Sequence, residues 1–165
     1  MTQITVLADT HVSTLRELPQ KVTQAIKETE WVVHCGDYTS LKVVEELRST
    51  ARNFVGVYGN SDPDEIRRQL PAETIIELEG RRIAVIHPYW GGSPDKLEEK
   101  LIDRFPHVDA ILFGHTHDSC NMKINGVQLF NPGQGYSFYT MPVNIGIMTV
   151  SRQEIKCQIV ELDRF

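Results

Sequence analysis

Long hydrophobic runs are missing from this chain. No stretch of the 165 residues approaches the roughly 20 apolar residues that span a bilayer. Met1-Thr2-Gln3-Ile4-Thr5 leads straight into a β-prone segment, without the basic start and apolar core of a secretory leader. The expectation is a cytoplasmic protein with no membrane partner. Cysteine is scarce too: Cys35, Cys120 and Cys157 are odd in number and show no Cys-x-x-Cys spacing, which fits reduced structural thiols better than a disulfide framework. Positive charge is the third deficit. A formal net charge of −5 leaves no basic footprint for general nucleic-acid binding, which works by displacing phosphate counterions. Repeats, low-complexity tracts and linkers are also absent, and a chain of this length buries about 70% of its unfolded surface in one core, so residues 1–165 are expected to form a single domain.

What is present is a strand–helix rhythm. Short apolar runs at 4–7, 31–34, 54–58, 83–87 and 110–113 have the Val and Ile content of strands buried on both faces. Between them, 19–29, 40–47 and 94–105 carry apolar residues at helical spacing: Val22, Ala25 and Ile26; Leu41, Val44 and Leu47; Leu97, Leu101 and Ile102. Such alternation implies a largely parallel sheet. From Met122 the rhythm changes to hairpins: 122–124 and 127–130 around Asn125-Gly126, 144–150 and 155–162 around Ser151-Arg152-Gln153, and, earlier, 74–78 with 83–87. The last third therefore reads as antiparallel. Two facing mixed sheets with helices outside accommodate both halves.

Four polar islands follow the apolar runs: Asp9-Thr10-His11, Gly36-Asp37, Gly59-Asn60 and Gly114-His115-Thr116-His117, with His87 ending a fifth run. Taken singly, Gly-Asp and Gly-Asn are ordinary turn dipeptides. Together they put two carboxylates, one carboxamide and four imidazoles at the C-terminal edges of strands, where open α/β sheets bind ligands. Asp9 and His11, one residue apart, are expected to project to the same side of an extended backbone and to reach one cation. The donors suit a pair of divalent cations. Such cations would locally reverse the acidic balance, so anionic substrates stay compatible with the chain.

In this order, Asp9-x-His11, Gly36-Asp37, Gly59-Asn60, His87 and Gly114-His115-x-His117 resemble the signature of the calcineurin-like metallophosphoesterase superfamily. Gly59-Asn60-Ser61-Asp62 and the small size resemble its compact bacterial and archaeal phosphodiesterase branch, to which the scaffold protein Vps29 is related; Asn131-Pro132-Gly133 extends the likeness. The resemblance implies a four-layer αββα sandwich and two divalent ions, Mn²⁺ by analogy, with Ni²⁺, Co²⁺, Fe²⁺ or Zn²⁺ also suited to the donors. It implies Asp9, His11 and His117 on one metal, Asn60, His87 and His115 on the other, and Asp37 bridging, with Asp37, Asn60 and His115 as the catalytic positions. The activity it implies is hydrolysis of small organic, nucleotide-like phosphodiesters by a hydroxide that two metals activate. A phosphomonoesterase, or a catalytically silent Vps29-like scaffold that binds proteins, is the competing reading. It also leaves room for a homo-oligomer.

Two positions depart from the family pattern. Many relatives carry a histidine after the motif Asn, as the proton donor to the leaving oxygen; here Ser61 stands there. Asp62 is expected to be part of a solvated helix start, Asp62-Pro63-Asp64-Glu65, and Arg67 and Arg68 to face water. Pro88 replaces a usual Gly and stiffens the lead into Tyr89 and Trp90, which either stack on a nucleobase or pack against a neighbour.

Overall fold

The computed structural model describes residues 1–89, 96–136 and 141–162. Ten strands and four α-helices are arranged in chain order as β1 (Thr2–Leu7), α1 (Gln20–Glu28), β2 (Trp31–His34), α2 (Leu41–Thr50), β3 (Phe54–Gly56), α3 (Asp64–Arg67), β4 (Glu73–Leu78), β5 (Arg81–Ile86), α4 (Leu97–Arg104), β6 (Ala110–Phe113), β7 (Cys120–Ile124), β8 (Val127–Asn131), β9 (Val143–Val150) and β10 (Ile155–Leu162). The strands form two five-stranded sheets, ordered β10-β9-β1-β2-β3 and β4-β5-β6-β8-β7.

The period of two along each buried strand sorts its residues into separate cores. In β1, Ile4 and Val6 face the second sheet and Leu7 faces the helices; in β2, Val33 and Val32 divide the same way. In β5 and β6, Ile83, Val85, Ala110 and Leu112 meet the first sheet across the central core, while Ala84, Ile86, Ile111 and Phe113 pack under α4. Helices α1 and α2 cover the outer face of the first sheet through Val22, Ile26, Val43, Val44 and Leu47. The result is the expected four-layer αββα sandwich. Thr5, the polar residue on the helix-facing side of β1, is reconciled to complete burial by a 3.0 Å hydrogen bond with Thr29 at the end of α1.

Both sheets are mixed. β1, β2 and β3 run parallel, as do β5, β6 and β8; β9 pairs antiparallel with both β1 and β10 in the first sheet, and β4 and β7 pair antiparallel at the two edges of the second. The expectation of an antiparallel last third needs correction at β8, which pairs with β7 as a hairpin but lies parallel to β6 from Ala110↔Gln128 onward. The hairpin turn fixes one neighbour of β8; the open edge of β6 fixes the other. β3 is two residues shorter than expected because Val57 N–H donates to His34 O and Tyr58 N–H to Pro71 O. Helix α4 starts at Leu97, and the expected Pro94 start lies outside the described residues. Among the described residues no helix is long and apolar enough to cross a membrane.

Candidate metal centre

Where β1 ends, the chain turns sharply: Asp9 (φ +49°) and His11 (φ +44°) both occupy left-handed backbone, not the extended conformation expected for the pair. Their amides are tied to the next island, Asp9 N–H to Gly36 O and His11 N–H to Asp37 O. Asp37 (φ +61°), His115 (φ +79°) and His117 (φ +63°) share this conformation, so five of the seven candidate ligands sit in backbone that non-glycine residues avoid. At about 1 kcal/mol or more each, that is strain on the order of 5 kcal/mol, concentrated at one end of the sandwich.

The seven side chains do converge. Asp37 Oδ2 lies 3.5 Å from His11 Nε2 and 3.5 Å from His87 Nε2. On one side, His117 Nε2 is 3.4 Å and His11 Nε2 3.9 Å from Asp9 Oδ1. On the other, Asn60 Oδ1 is 2.9 Å from His87 Nε2 and 3.0 Å from His115 Nδ1. Two triads, Asp9-His11-His117 and Asp9-Asp37-His87, have donor atoms all within 4.8 Å, close enough to hold a metal ion. Asp9 Oδ1 and His11 Nε2 are buried without a hydrogen-bond partner. Two polar atoms orphaned face to face, too far apart to bond each other, are what a cation between them would satisfy.

Each motif glycine has a steric reason. A Cβ on Gly59 would lie 2.1 Å from Asp37 Oδ1, on Gly36 2.7 Å from His87 Nδ1, and on Gly114 2.9 Å from Asp9 Oδ2. The backbone of one island passes against the ligand of another, and only glycine permits that approach.

Around the ligands stands a ring of residues that sequence reasoning placed wrongly or passed over. Asp62 is not a solvated helix start. It is 3% exposed, and its carboxylate accepts from Asp37 N–H (2.9 Å), Gly59 N–H (2.7 Å) and Thr39 N–H (2.8 Å), fastening the Asp37 and Asn60 loops together. Arg67 does not simply face water either: its guanidinium donates to Asp62 O and Asn60 O and lies over the Tyr58 ring, whereas Arg68 is exposed as expected. His34 accepts from Gly36 N–H at Nδ1, which fixes its proton on Nε2, facing Thr10 Oγ1 at 3.0 Å. His87 is oriented by a 2.8 Å bond from Nδ1 to Cys35 O. Asn131 donates to Thr116 Oγ1, holding the loop between His115 and His117. A histidine at a strand end was the one legible signal here, in His34; Asp62 had none.

Burial alone would raise the Asp9 carboxyl, but the nearby imidazoles of His11, His117 and His87 outweigh it and hold the group below the usual carboxylate range. His117 is raised mainly by the neighbouring Asp9 carboxylate; His115 is lowered by burial and by His87. Burial pushes the Cys35 thiol well up, consistent with an inert structural cysteine. The two buried carboxylates thus create a place that favours positive charge.

The family model of the calcineurin-like phosphoesterase superfamily domain matches residues 2–153. The chain belongs to that superfamily. Within it, the chain is similar to phosphodiesterase MJ0936 of Methanocaldococcus jannaschii, with 26% identity over 96% of this chain and 99% of that protein. It is also similar to the probable metallophosphoesterase MJ0623 of the same organism, with 33% identity over 79% of this chain and 66% of that one. Among solved structures, zinc-complexed Vps29 of Entamoeba histolytica superposes with a TM-score of 0.74 over 96% of this chain and 98% of that one, at 19% identity, a likeness of fold. Against the superfamily pattern, Ser61 is exposed and its N–H donates to Asp37 Oδ1 (2.8 Å), so this position steadies a carboxylate through its backbone. Tyr89 is 42% exposed at the rim, and Trp90 lies outside the described residues.

Proposed function

We infer that the chain is a metal-dependent phosphodiesterase, a single domain acting on small organic phosphodiesters, with Asp9, His11 and His117 holding one divalent ion, Asn60, His87 and His115 the second, and Asp37 spanning both. The observation that carries this reading is Asp37 Oδ2, equidistant at 3.5 Å from imidazole nitrogens of the two groups. Two dications held there would neutralise phosphoryl charge and generate the nucleophile from water. Asp37 reduces repulsion between them. Cys35 O keeps His87 in a fixed tautomer and orientation, as the outer partner of a ligating histidine does. His115, partly exposed beside Asn60 Oδ1, stands where a phosphoryl oxygen would approach.

Diesters are favoured over monoesters because a monoester brings a second negative charge, and Arg67, the cation beside the Asn60 loop, is spent on the carbonyls of Asp62 and Asn60. With Ser61 in the usual histidine position, diesters with good leaving groups come first. Manganese is the proposed metal. Zinc in the Vps29 of Entamoeba histolytica means that metal occupancy alone does not separate enzyme from scaffold. The deciding experiment is therefore turnover: purified protein supplied with Mn²⁺, Co²⁺ or Ni²⁺ is assayed on bis-p-nitrophenyl phosphate, p-nitrophenyl phosphate and cyclic nucleotides, beside His115→Ala. Diester hydrolysis that His115→Ala reduces at least a hundredfold is the expected result. A protein that binds two metals per chain and turns over no diester overturns the reading in favour of the scaffold.

A further inference from the structure

A cleft of about 250 Å³ opens directly beside His11, lined by Val12, Glu17, Leu18, Pro19, Tyr136 and Val143. We propose that this cleft, walled by Tyr136, is the subsite that receives an uncharged, ring-sized ester group of the phosphodiester. The inference rests on the catalytic reading above and deepens it.

Three observations lead there. The cleft borders the candidate centre at one residue: His11 lines it, and the same imidazole has its Nε2 3.5 Å from Asp37 Oδ2. A phosphoryl group at the centre therefore has an ester arm's reach into the cleft. Val12, Leu18, Pro19, Val143 and Tyr136 supply the apolar part of the wall, beside the polar groups of His11 and Glu17. The Tyr136 ring lies 5.0 Å from the His11 ring and 6.0 Å from that of His117, edge-on to the latter, while Val12, Leu18 and Val143 are at least nine-tenths buried. Finally, among the described residues no lysine or arginine lines the cleft, and the one acid among them is Glu17, whose carboxylate accepts from Ser13 N–H and Thr14 N–H. A space with one carboxylate and no cation repels a second anionic group and accepts a neutral one. The volume falls just under the roughly 300–1,000 Å³ of pockets that take drug-sized ligands, which fits a single ring rather than a long chain.

Tyr136 is built into this role. Gly135 N–H donates to Ala8 O, laying the segment across the end of β1, and Gln134 Nε2 donates to Tyr136 O, setting the height of the tyrosine.

The test compares diphenyl phosphate with dimethyl phosphate, equal in charge and unlike in ester group, as competitive inhibitors of bis-p-nitrophenyl phosphate hydrolysis. Wild type binds the diphenyl ester at least tenfold more tightly, about the worth of one well-packed aromatic group. Tyr136→Ala brings the two constants within about threefold of each other; Tyr136→Phe keeps the preference. Bis(4-carboxyphenyl) phosphate binds no better than dimethyl phosphate. A preference that Tyr136→Ala leaves intact, or its absence in wild type, overturns the proposal. Methyl NMR of the zinc-loaded protein supplies an arm that needs neither variant nor turnover. Diphenyl phosphate shifts the Val12, Leu18 and Val143 methyl resonances and dimethyl phosphate does not. Equal shifts, or none in the cleft, reject the subsite. If no diester is hydrolysed while the diphenyl-specific shifts appear, the catalytic reading fails and the binding site stands.

Discussion

Replacing Asp62 tests whether one buried carboxylate fastens the ligand loops to each other. Its Oδ2 accepts from Asp37 N–H and Gly59 N–H, its Oδ1 from Thr39 N–H, and water does not reach it at 3% exposure. Asp62→Ala leaves three donors without an acceptor. At about 1–2 kcal/mol each, the loss is about 3–6 kcal/mol, a large part of the 5–15 kcal/mol that holds an ordinary domain together. For a chain of this size that corresponds to a fall of about 10–20 °C in melting temperature. Asp62→Asn is the cleaner perturbation. It preserves the bond to Thr39 N–H and turns an NH₂ toward the two donors that Oδ2 served, for an expected loss of about 2–4 kcal/mol. Because those two donors are the backbone of Asp37 and the residue before Asn60, manganese affinity, read by calorimetric titration, should weaken about 10- to 100-fold in the same variant. A melting temperature within 2 °C of wild type together with unchanged metal affinity would refute the idea that Asp62 holds the loops.

Glycine substitutions separate steric necessity from backbone preference. Gly59→Ala forces a methyl onto Asp37 Oδ1 and should abolish both metal binding and phosphodiester turnover, while Gly126→Ala, with φ +85° and open space around its Cβ position, should cost only about 1 kcal/mol in chemical denaturation and leave metal binding untouched. Asp37→Asn should lower metal content at both positions together, seen as loss of two ions per chain in elemental analysis; retention of one ion would contradict the bridging role. The buried imidazole of His34 gives a pH signature. Burial holds it neutral down to about 3, whereas in the unfolded chain it takes a proton near 6.5. Across that window the unfolded state binds more protons, so its contribution is full above about pH 6.5 and is lost as pH falls, by about 1.4 kcal/mol per pH unit and about 3 kcal/mol by pH 4. Unfolding free energies measured from pH 7.5 to 4 should slope less steeply in His34→Gln than in wild type, and parallel slopes would contradict the assignment.

The buried strands were legible because burial on two faces writes itself as continuous apolar runs, as at Trp31–His34 and Ala110–Phe113, while Ile155–Leu162 was legible from its place in a hairpin. The ligand islands were legible for the same reason, since polar residues immediately after such runs stand out. Asp62 did not stand out. Asp-Pro-Asp-Glu has the local grammar of a helix start, and nothing in those four letters records that amides of the distant Asp37 loop meet there. The conformation of Asp9 and His11 was misjudged because an x-separated pair reads as strand; the hydrogen bonds to Gly36 O and Asp37 O, which force the turn, come from residues 27 and 26 positions away. Tyr136 follows Asn131-Pro132-Gly133 without any periodic signal, so its place against His117 and His11 is settled only by tertiary folding.

Asp9, Asp37 and Asn60 hang from the β10-β9-β1-β2-β3 sheet, and His87, His115 and His117 from the other; His115 N–H to Asp9 Oδ2 and His87 Nδ1 to Cys35 O already stitch the two across the gap. The seam where the halves of the sandwich meet is therefore also the floor on which the proposed chemistry takes place. Any sliding of one sheet over its neighbour would pull the two donor groups out of register, so rigidity of the distant Val, Ile and Leu interior is transmitted to the polar end as accuracy of ångström scale.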